Sequence, residues 1–393
     1  MMVRSSYDRL LLLSTLALVT LGVLMVYSST SVITPVMQRK NISEFFYLKK
    51  HLFTVLLGCV AMYTAYRADR GLLKRMAIPL LAVSLVLLLM VFIPGIGVKA
   101  GGATRWLRLW PSTFQPSELV KLAMVFFLAW YMSRESYRPD RFQSFAVPVG
   151  VMGVFQIVFL RQPDFGAAMS LGVLTICMLF VSGIRLRYLC SLALLTLPVV
   201  YYLMSEPYRM KRLITFVDPW KYRSEGGFQL VQSFIAFGSG GFSGVGLGKS
   251  MQKLDFLPEV HTDFIFSMLG EELGFFRALM VVMLFAFIFF RGVSVAGEQR
   301  EKFGYYMAFG LSLMVARQAL VNIAVVTGML PTKGLPLPFI SYGGSALLVN
   351  MAVVGLLLNY SRPESRMADA PVDKLGTMIR KKKAKRAVYG RPR

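Results

Sequence analysis

Charged residues are scarce in this sequence. Asp, Glu, Lys and Arg make up only 16% of its 393 residues, whereas an average soluble domain carries about 25%. Acidic residues are the scarcer kind, with 20 Asp and Glu against 44 Lys and Arg, so the net charge is +24. So few charges exclude a soluble enzyme, a disordered chain and a secreted disulfide scaffold. The basic excess would suit nucleic acid only on a soluble charged face, so we expect no nucleic-acid partner.

Cysteines, repeats and strand-like alternation are also scarce or missing. The three cysteines (Cys59, Cys177 and Cys190) lie in or beside apolar runs, and their spacing matches neither a disulfide framework nor a metal cluster. The apolar residues do not alternate with a period of two, which excludes a membrane β-barrel. No internal repeat is visible, so an inverted-repeat transporter has no sequence support.

Long apolar runs fill most of the chain instead. A membrane-spanning helix needs about 20 mostly apolar residues, and spans of this kind must be helical because their backbone groups have to be hydrogen-bonded internally. We predict an all-α polytopic membrane protein with ten transmembrane helices, at residues 10–33, 46–66, 76–93, 116–132, 144–160, 167–183, 188–205, 263–290, 304–327 and 346–360. The first run is longer than the core of a signal peptide, which favours an uncleaved first helix.

Lysine and arginine counts predict the orientation. With both ends inside, 25 of the 44 basic residues fall in cytoplasmic segments, 16 in outer segments and three within spans, and this bias favours an N-in, C-in topology. The ten-helix domain then covers residues 1–360, with a large outer loop at 206–262 between the seventh and eighth predicted helices. Residues 361–393 form a basic cytoplasmic tail of net charge +8, for which contact with anionic lipid is favoured over a docking partner.

A glycine-rich stretch, 238-GSGGFSGVGLG-248, lies in the outer loop. We interpret it as a flexible turn. Lys249 and Ser250, which follow it, resemble the end of a phosphate-binding loop, but Ser243 stands where that motif requires glycine and no strand precedes it. A nucleotide site is therefore not expected.

Polar residues gather at the outer ends of the predicted helices, where ionisable groups are costly and usually functional. The loop before the fourth helix contains Arg105 and Trp106, and 115-QPSE-118 is typical of a helix start. Glu118 and Lys121 lie one turn apart on the same helix face. This spacing predicts an ion pair inside the membrane, with a structural or a substrate-binding role.

Two outer connections are broken by proline and glycine. In 161-RQPDFG-166, Asp164 is interpreted first as the cap of the following helix. The second connection is 327-TGMLPTKGLPLPFISYGGSA-346, an apolar segment whose prolines and glycines prevent a continuous helix. At membrane depth, irregular backbone of this kind is tolerated only against protein or a water-filled cavity. Lys333 is the only charged residue in that segment, and it either snorkels or binds a phosphate.

The segment 255-DFLPEVHTDFIFSMLGEELGFF-276 is rich in acids and contains one histidine; these residues are Asp255, Glu259, Asp263, Glu271, Glu272 and His261. The dipole of the eighth helix explains one carboxylate in its first turn, but it does not explain why several gather beside an apolar groove. Glu259, His261 and Asp263 could share a divalent cation, although three ligands in five residues is a loose pattern. We therefore predict a functional site on the outer face.

These segments resemble the SEDS family (shape, elongation, division and sporulation), the FtsW/RodA/SpoVE polymerases of the bacterial cell wall. The matching motifs run in family order from residue 7 to about 360: Tyr7-Asp8-Arg9, 102-GATRWL-107, 115-QPSE-118 with Lys121, 162-QPDFG-166, 258-PEVHTDFIF-266, 270-GEELGF-275 and 331-PTKGLPLPFISYGGS-345. Lys333 and the basic tail are more similar to the division branch of the family than to the elongation branch.

The resemblance implies ten transmembrane helices and polymerisation of lipid II into β-1,4 glycan on the outer face of the bacterial cytoplasmic (inner) membrane, at the division septum. The implied partners are lipid II and the nascent glycan, a class B penicillin-binding protein, small bitopic division activators and membrane lipids. By motif position, Asp263 is the implied catalytic acid and Asp255 an acid that tunes activity. The candidate substrate-binding residues are Arg105, Trp106, Gln115, Ser117, Glu118, Lys121, Asp164, Glu259, His261, Lys333 and Ser341.

For that reaction we expect an inverting displacement with Asp263 as general base on the incoming hydroxyl, a contribution of roughly 10²–10⁴-fold. The lipid pyrophosphate leaves once its charge is neutralised, so no general acid is needed. The pyrophosphate charge could be neutralised by basic side chains, with or without a divalent cation (Mg²⁺ or Mn²⁺). The candidates are Arg105, Lys333 and one of Arg209, Lys211 or Arg212. No organic cofactor is expected.

Three alternatives stay open at this point: a lipid II flippase or transporter, a role in elongation instead of division, and a purely structural scaffold. A carrier needs a site near the membrane midplane that is reached from both sides. The acids and helix breaks converge on the outer face instead, and a scaffold would leave the carboxylates of residues 255–272 unexplained.

Overall fold

The computed structural model describes residues 7–30, 45–100, 103–109, 112–204, 207–224, 226–252 and 261–362. Within these ranges the chain forms thirteen helices: α1 (Arg9–Thr30), α2 (Phe46–Arg67), α3 (Arg70–Arg75), α4 (Ala77–Met90), α5 (Pro116–Met132), α6 (Phe142–Arg161), α7 (Phe165–Val181), α8 (Leu186–Met204), α9 (Pro207–Val217), α10 (Phe228–Gly240), α11 (Ile265–Gly297), α12 (Lys302–Val326) and α13 (Gly344–Tyr360). Three strands, β1 (Gly97–Ala100), β2 (Ala103–Leu109) and β3 (Ser112–Phe114), lie between α4 and α5.

Ten of these helices occupy the ranges of the ten predicted spans. The other three are α3, which joins α2 to α4, and α9 and α10, which lie in the large loop. By length and composition, α1, α6, α11 and α12 are each able to cross a membrane, and Pro148 lies inside α6 without ending it. The mostly helical, polytopic membrane architecture is confirmed, whereas the ten-span count and the N-in, C-in orientation stay predictions.

The centre of the bundle is formed by α5, α12 and α13, whose side chains are buried over most of their lengths. In contrast, α8 leaves large apolar side chains uncovered, with Leu194 69%, Leu195 73% and Tyr201 78% exposed. Continuous exposed apolar surface of this kind is typical of contact with a membrane. The outer helices therefore present an apolar face to lipid, while the polar residues described below lie inside the bundle.

Glycines set the close contact between α2 and α13, which pack along one another. A Cβ atom at Gly355 would lie 2.2 Å from the carbonyl oxygen of Met62, and one at Gly58 would lie 2.3 Å from the sulfur of Met351. At Gly355 the contact is with the backbone of Met62, so only glycine allows this approach, whereas at Gly58 the side chain of Met351 would have to move. Small residues play this part in membrane helix pairs because no hydrophobic effect drives the helices together.

The outer loop before α5 is a small antiparallel sheet, which the all-α prediction did not include. Strand β2 pairs with both neighbours, placing Trp106 opposite Val98 and Arg108 opposite Thr113. The register shifts between Val98 and Lys99, which leaves Arg105 as an extra residue of β2 without a partner on β1. A bulge of this kind redirects a side chain, and the guanidinium of Arg105 reaches the carbonyl oxygen of Pro163.

The glycine-rich stretch is an ordered partner of α11, and its interpretation as a flexible turn is wrong. Helix α11 is broken at Gly274, where φ is +80°. The loop 241–246 runs beside the break and exchanges backbone hydrogen bonds with it: Val245 N to Glu271 O and Gly246 N to Glu272 O, both 3.0 Å, and Phe275 N to Gly241 O, 2.9 Å. Backbone groups released by the break are therefore satisfied by protein, as they must be at membrane depth.

Candidate active site at the outer helix ends

Four separate connections meet where the helices end on the predicted outer side. Arg105 of β2 donates from Nη2 to the carbonyl oxygen of Pro163, which lies between α6 and α7, at 2.6 Å. Gly166, at the start of α7, lies near Leu335 of the segment between α12 and α13. Asp263, which precedes α11, packs against Gly334 of the same segment. Motifs far apart in sequence are thus brought to one place.

Asp263 is partly exposed and stands directly before the first turn of α11. A Cβ atom at Gly334 would lie 2.8 Å from Asp263 Oδ2, so the glycine allows the carboxylate to approach the 331–343 backbone. The carbonyl oxygen of Asp263 accepts a hydrogen bond of 2.8 Å from Nδ2 of Asn322. Asp263 lies at the start of a helix, where a negative charge is favoured, and its partial exposure leaves the carboxyl group within reach of an incoming group.

Lys333 lies in the connection between α12 and α13 and directs its ammonium toward the thioether of Met169 in α7. Burial lowers the pKa of Lys333, the positive charge of Arg317 lowers it further, and Asp164 partly opposes both effects. Among the described residues Lys333 forms no ion pair. A half-buried cation with a thioether neighbour is suited to an anion that arrives from outside the protein.

Arg105 and Asp164 border the same connection. Asp164 caps α7 as predicted, because its Oδ1 accepts from the backbone N of Ala167 at 3.1 Å. Its other oxygen, Oδ2, is buried and has no hydrogen-bond partner within the described residues, and the same holds for Nε of Arg105. Both side chains therefore combine a structural contact with one polar atom that the described part of the protein does not satisfy.

Glu118 and Lys121 form the predicted ion pair. The ammonium of Lys121 lies 2.8 Å from Oε1 and 2.7 Å from Oε2 of Glu118, and the two residues are 3% and 1% exposed. Lys121 also approaches Oε1 of Gln318 at 3.5 Å. The pair is enclosed by α5 and α12, which supports the structural alternative; the substrate-binding role stays a prediction.

Other predicted residues hold the surrounding backbone. The N–H of Gln115 donates to Oγ of Ser345 at 2.9 Å, Ser117 is buried in the first turn of α5, and Oγ of Ser341 accepts from the N–H of Leu337 at 2.8 Å. Trp106 is half-buried in β2. These contacts fix the ends of α5 and α13 next to the site, and a direct role of these residues in substrate binding stays a prediction.

His261 packs among aromatic rings. Its ring lies 5.5 Å from Tyr47 and 5.8 Å from Tyr342, and its carbonyl oxygen accepts from the N–H of Tyr342 at 2.9 Å. Asp255 and Glu259 lie outside the described residues. Within the described part, no three His, Cys, Asp or Glu side chains are grouped as ligands of one metal ion, so the divalent cation stays an expectation.

The acidic cluster is smaller than the sequence indicates, because Glu271 and Glu272 lie inside the bundle. Glu271 accepts hydrogen bonds from Ser250, Ser239 and the N–H of Met251. Both oxygens of Glu272 accept from Ser28 of α1, at 2.7 and 2.9 Å. Buried carboxylates persist when they are hydrogen-bonded, and these two stabilise the break in α11. Among the described acids of the segment, only Asp263 faces the site.

Sequence reasoning missed two amides of α12. Gln318 donates from Nε2 to the carbonyl oxygen of Pro336 at 2.9 Å, and Asn322 donates to the carbonyl oxygens of Asp263 and Leu335. They lie four residues apart, which places them on one helix face. Two amides at this spacing in an apolar helix are a visible signal, but their acceptors are backbone groups that only the fold brings near.

Comparison with known proteins agrees with this architecture. The sequence profile of the FtsW/RodA/SpoVE family, described as "Cell cycle protein", matches residues 8–366. The chain belongs to this family. The family resemblance drawn from the motifs is therefore confirmed over nearly the whole chain, from α1 to the end of α13.

Individual relatives of this family member cover most of its length. The "Probable peptidoglycan glycosyltransferase FtsW" of Geobacter metallireducens is 43% identical over 367 residues, 93% of this chain and 96% of the relative. The "Stage V sporulation protein E" of Bacillus subtilis is 38% identical over 361 residues, 91% of this chain and 98% of the relative.

Solved structures have the same fold. A structure titled "Structural coordination of polymerization and crosslinking by a peptidoglycan synthase complex" matches with a TM-score of 0.75 at 29% identity, covering 92% of this chain and 99% of that one. The rod shape determining protein RodA of Thermus thermophilus matches with a TM-score of 0.66 at 27% identity, covering 91% and 98%.

Proposed function

We propose that this protein is a peptidoglycan glycosyltransferase that polymerises lipid II into β-1,4 glycan on the outer face of the cytoplasmic membrane. The observation that carries the proposal is the meeting of Asp263, Lys333 and Arg105 at the outer ends of the helices. Two acids, Asp263 and the buried Asp164, lie there near two cations that form no ion pairs within the described residues. The relatives named as peptidoglycan glycosyltransferases support the same reaction class.

The chemistry needs one base and neutralisation of a leaving group. Asp263 removes the proton from the 4-hydroxyl of the incoming sugar as the hydroxyl oxygen attacks the anomeric carbon of the other substrate. The bond from that carbon to the lipid pyrophosphate breaks, and the α link of the donor becomes a β link. Lys333 and Arg105 stabilise the charge that develops on the pyrophosphate. Because that group leaves as a stabilised anion, the mechanism does without the second carboxylate of a glycoside hydrolase.

The lipid tails of both substrates would lie against the apolar helix faces, so only the polar headgroups need to enter the site. Holding two reactants in line removes much of the entropic barrier. The proposed partners are a class B penicillin-binding protein, which would cross-link the new glycan, and small bitopic activators at the division septum. The structural match to a complex that coordinates polymerisation and crosslinking supports the first of these.

The decisive test replaces the base. The purified chain, with its cognate transpeptidase, is incubated with lipid II and the glycan product is measured by gel or mass spectrometry. Asp263→Asn keeps the size of the side chain but removes the base, so we expect the rate to fall by roughly 10²–10⁴-fold. The same assay with Mg²⁺, Mn²⁺ or a chelator tests the divalent cation.

Asp218→Asn is the matched control. Asp218 is an exposed acid of the large loop, and within the described residues its carboxylate accepts a single, local bond of 3.1 Å from the N–H of Lys221. We expect that variant to retain the wild-type rate. If Asp263→Asn polymerises lipid II as fast as Asp218→Asn does, the assignment of the base is wrong.

A lipid II transporter is the alternative that one observation favours. Arg317 is 6% exposed inside the bundle, and its Nε and Nη2 have no hydrogen-bond partner among the described residues, as a polar path through the membrane would require. Against this alternative, the neighbouring Lys121 is held by Glu118 within α5. Proteoliposomes that move labelled lipid II across the bilayer without making glycan would favour the transporter.

A further inference from the structure

The side-chain amide of Asn322 bonds to both backbone segments that form the site, the one that carries Asp263 and the one that carries Lys333. Its Nδ2 donates to the carbonyl oxygen of Asp263 at 2.8 Å and to the carbonyl oxygen of Leu335 at 2.7 Å. Both acceptors are carbonyl oxygens, which fixes the orientation of the amide, since its nitrogen is the donor atom. Asn322 is 2% exposed; its bond to Leu335 is buried, and its bond to Asp263 is partly buried.

These two bonds tie together backbone segments that carry opposite charges. Leu335 lies two residues after Lys333, and Asp263 packs against the intervening Gly334. Neither segment is held by regular secondary structure at these positions, because Asp263 precedes α11 and residues 331–337 are irregular. Without the amide, the carbonyl oxygens of Asp263 and Leu335 would each lose a buried donor.

A second amide supports the same segment one turn deeper. Gln318 donates from Nε2 to the carbonyl oxygen of Pro336 at 2.9 Å, and its own Oε1 lies 3.5 Å from the ammonium of Lys121. Helix α12 is among the most enclosed in the bundle. The irregular segment is therefore fastened to a rigid helix at two adjacent backbone positions.

We propose that Asn322 is a positioning residue for the reaction: it sets the separation of Asp263 and Lys333 through their backbones and touches neither substrate. This inference rests on the proposed function, since it concerns the geometry of the same base and cation. A base must lie within hydrogen-bond reach of the proton that it removes. A displacement of about 1 Å can cost about 10²-fold in rate.

The test compares two buried asparagines. Asn350 of α13 is 0% exposed, donates from Nδ2 to the carbonyl oxygen of Ala346 one turn earlier at 2.8 Å, and, like Asn322, has a buried Oδ1 without a hydrogen-bond partner in the described structure. Asn322→Leu and Asn350→Leu thus remove the same group from equally buried sites. We expect Asn322→Leu to lower kcat by about 10²-fold, with KM for lipid II within threefold of wild type. Asn350→Leu should retain the wild-type kcat.

Thermal unfolding and a conservative variant separate positioning from folding. Asn322→Leu removes the donor of two backbone carbonyl oxygens, so its unfolding midpoint should lie below that of Asn350→Leu, and both variants should remain folded at the assay temperature. Asn322→Ser retains one hydroxyl donor and should recover part of the lost kcat. The inference is overturned if kcat of Asn322→Leu stays within threefold of Asn350→Leu. It is also overturned if kcat of both Asn322 variants falls only in proportion to the amount of folded protein.

Measuring wild type and Asp263→Asn in the same assay distinguishes failure of the proposed function from failure of the positioning role of Asn322. If wild type makes no glycan, the proposed function fails and the inference fails with it. If wild type is active and Asp263→Asn is inactive while Asn322→Leu is unaffected, only the positioning role is wrong.

Discussion

Two kinds of charged residue occur at the outer ends of these helices, and burial separates them. Glu118 and Lys121 are enclosed and satisfy each other at 2.7 Å, so removing either partner would leave an uncompensated buried charge. Asp263 and Lys333 are only partly enclosed, and Lys333 forms no ion pair among the described residues. Side chains of the first kind stabilise the bundle. Those of the second kind are available to a charged substrate.

The lowered pKa of Lys333 leads to a pH prediction. Burial lowers the pKa of Lys333, so this residue loses its proton as pH rises through a value below the pKa of an ordinary lysine, about 10.4. Below that value the cation is present, and above it the pyrophosphate loses a partner. We therefore expect kcat/KM for lipid II to fall on the alkaline side. Lys333→Arg should remove or shift this fall to higher pH, because arginine stays charged.

The control for this prediction is Lys249→Arg, since Lys249 is an exposed lysine of the large loop. Its pH profile should match that of wild type. If kcat/KM for lipid II falls at the same alkaline pH in Lys333→Arg and in wild type, the charge of Lys333 does not govern substrate use.

At the scale of elements, the broken helix α11 and the loop beside it act as one unit. The first half of α11 starts two residues after Asp263, and its end is held by the loop 241–246. Gly244 has a φ of +83°, and a Cβ atom there would lie 2.3 Å from the carbonyl oxygen of Glu272. The loop approaches α11 this closely because glycine is present at the contact.

Gly244→Ala should therefore destabilise the protein. A positive φ costs a non-glycine residue about 1–3 kcal/mol, and the contact with Glu272 adds to this. We expect a lower midpoint of thermal unfolding in detergent and less glycan synthesis. Gly238→Ala is the matched control, because Gly238 lies in α10 with no atom within 4 Å of its added Cβ. Equal midpoints for the two variants would contradict a tight contact at Gly244.

At the scale of the whole molecule, the helix ends opposite the site are tied to one another. Asp8 forms an ion pair with Arg291 of α11, its Oδ1 accepts from the N–H of Leu11 at 3.0 Å, and its N–H donates to Oγ of Ser361 at 3.0 Å. The start of α1, the second half of α11 and the end of α13 are thus joined. Both termini of the membrane domain therefore lie at the same end of the bundle, as an N-in, C-in topology requires.

Accessibility labelling tests this topology. In a background with Cys59, Cys177 and Cys190 replaced by alanine, single cysteines are placed at Lys221 and Arg300, which are both exposed. The large loop is predicted to face outward and the α11–α12 connection inward. We expect an impermeant maleimide to label Lys221→Cys in intact spheroplasts and Arg300→Cys only after permeabilisation. The reverse pattern would invert the proposed orientation.

Much of this protein follows from its sequence because lipid imposes a simple rule on each segment. An apolar run of sufficient length must form a helix, and the ten predicted ranges coincide with helices in the structure. The spacing of Glu118 and Lys121, the cap at Asp164 and the family motifs are likewise local patterns. Each of these could be predicted because the interacting groups are near one another in the chain.

Tertiary structure decided which polar residues share a site. Glu271 and Glu272 resemble site acids in sequence, yet the loop 239–251 and Ser28 enclose them. Asn322 resembles an ordinary polar residue of a membrane helix, yet it holds the backbone of Asp263. The physical reason is that a buried polar group is defined by its hydrogen-bond partners. Those partners lie on distant segments of the chain, so only the folded bundle determines them.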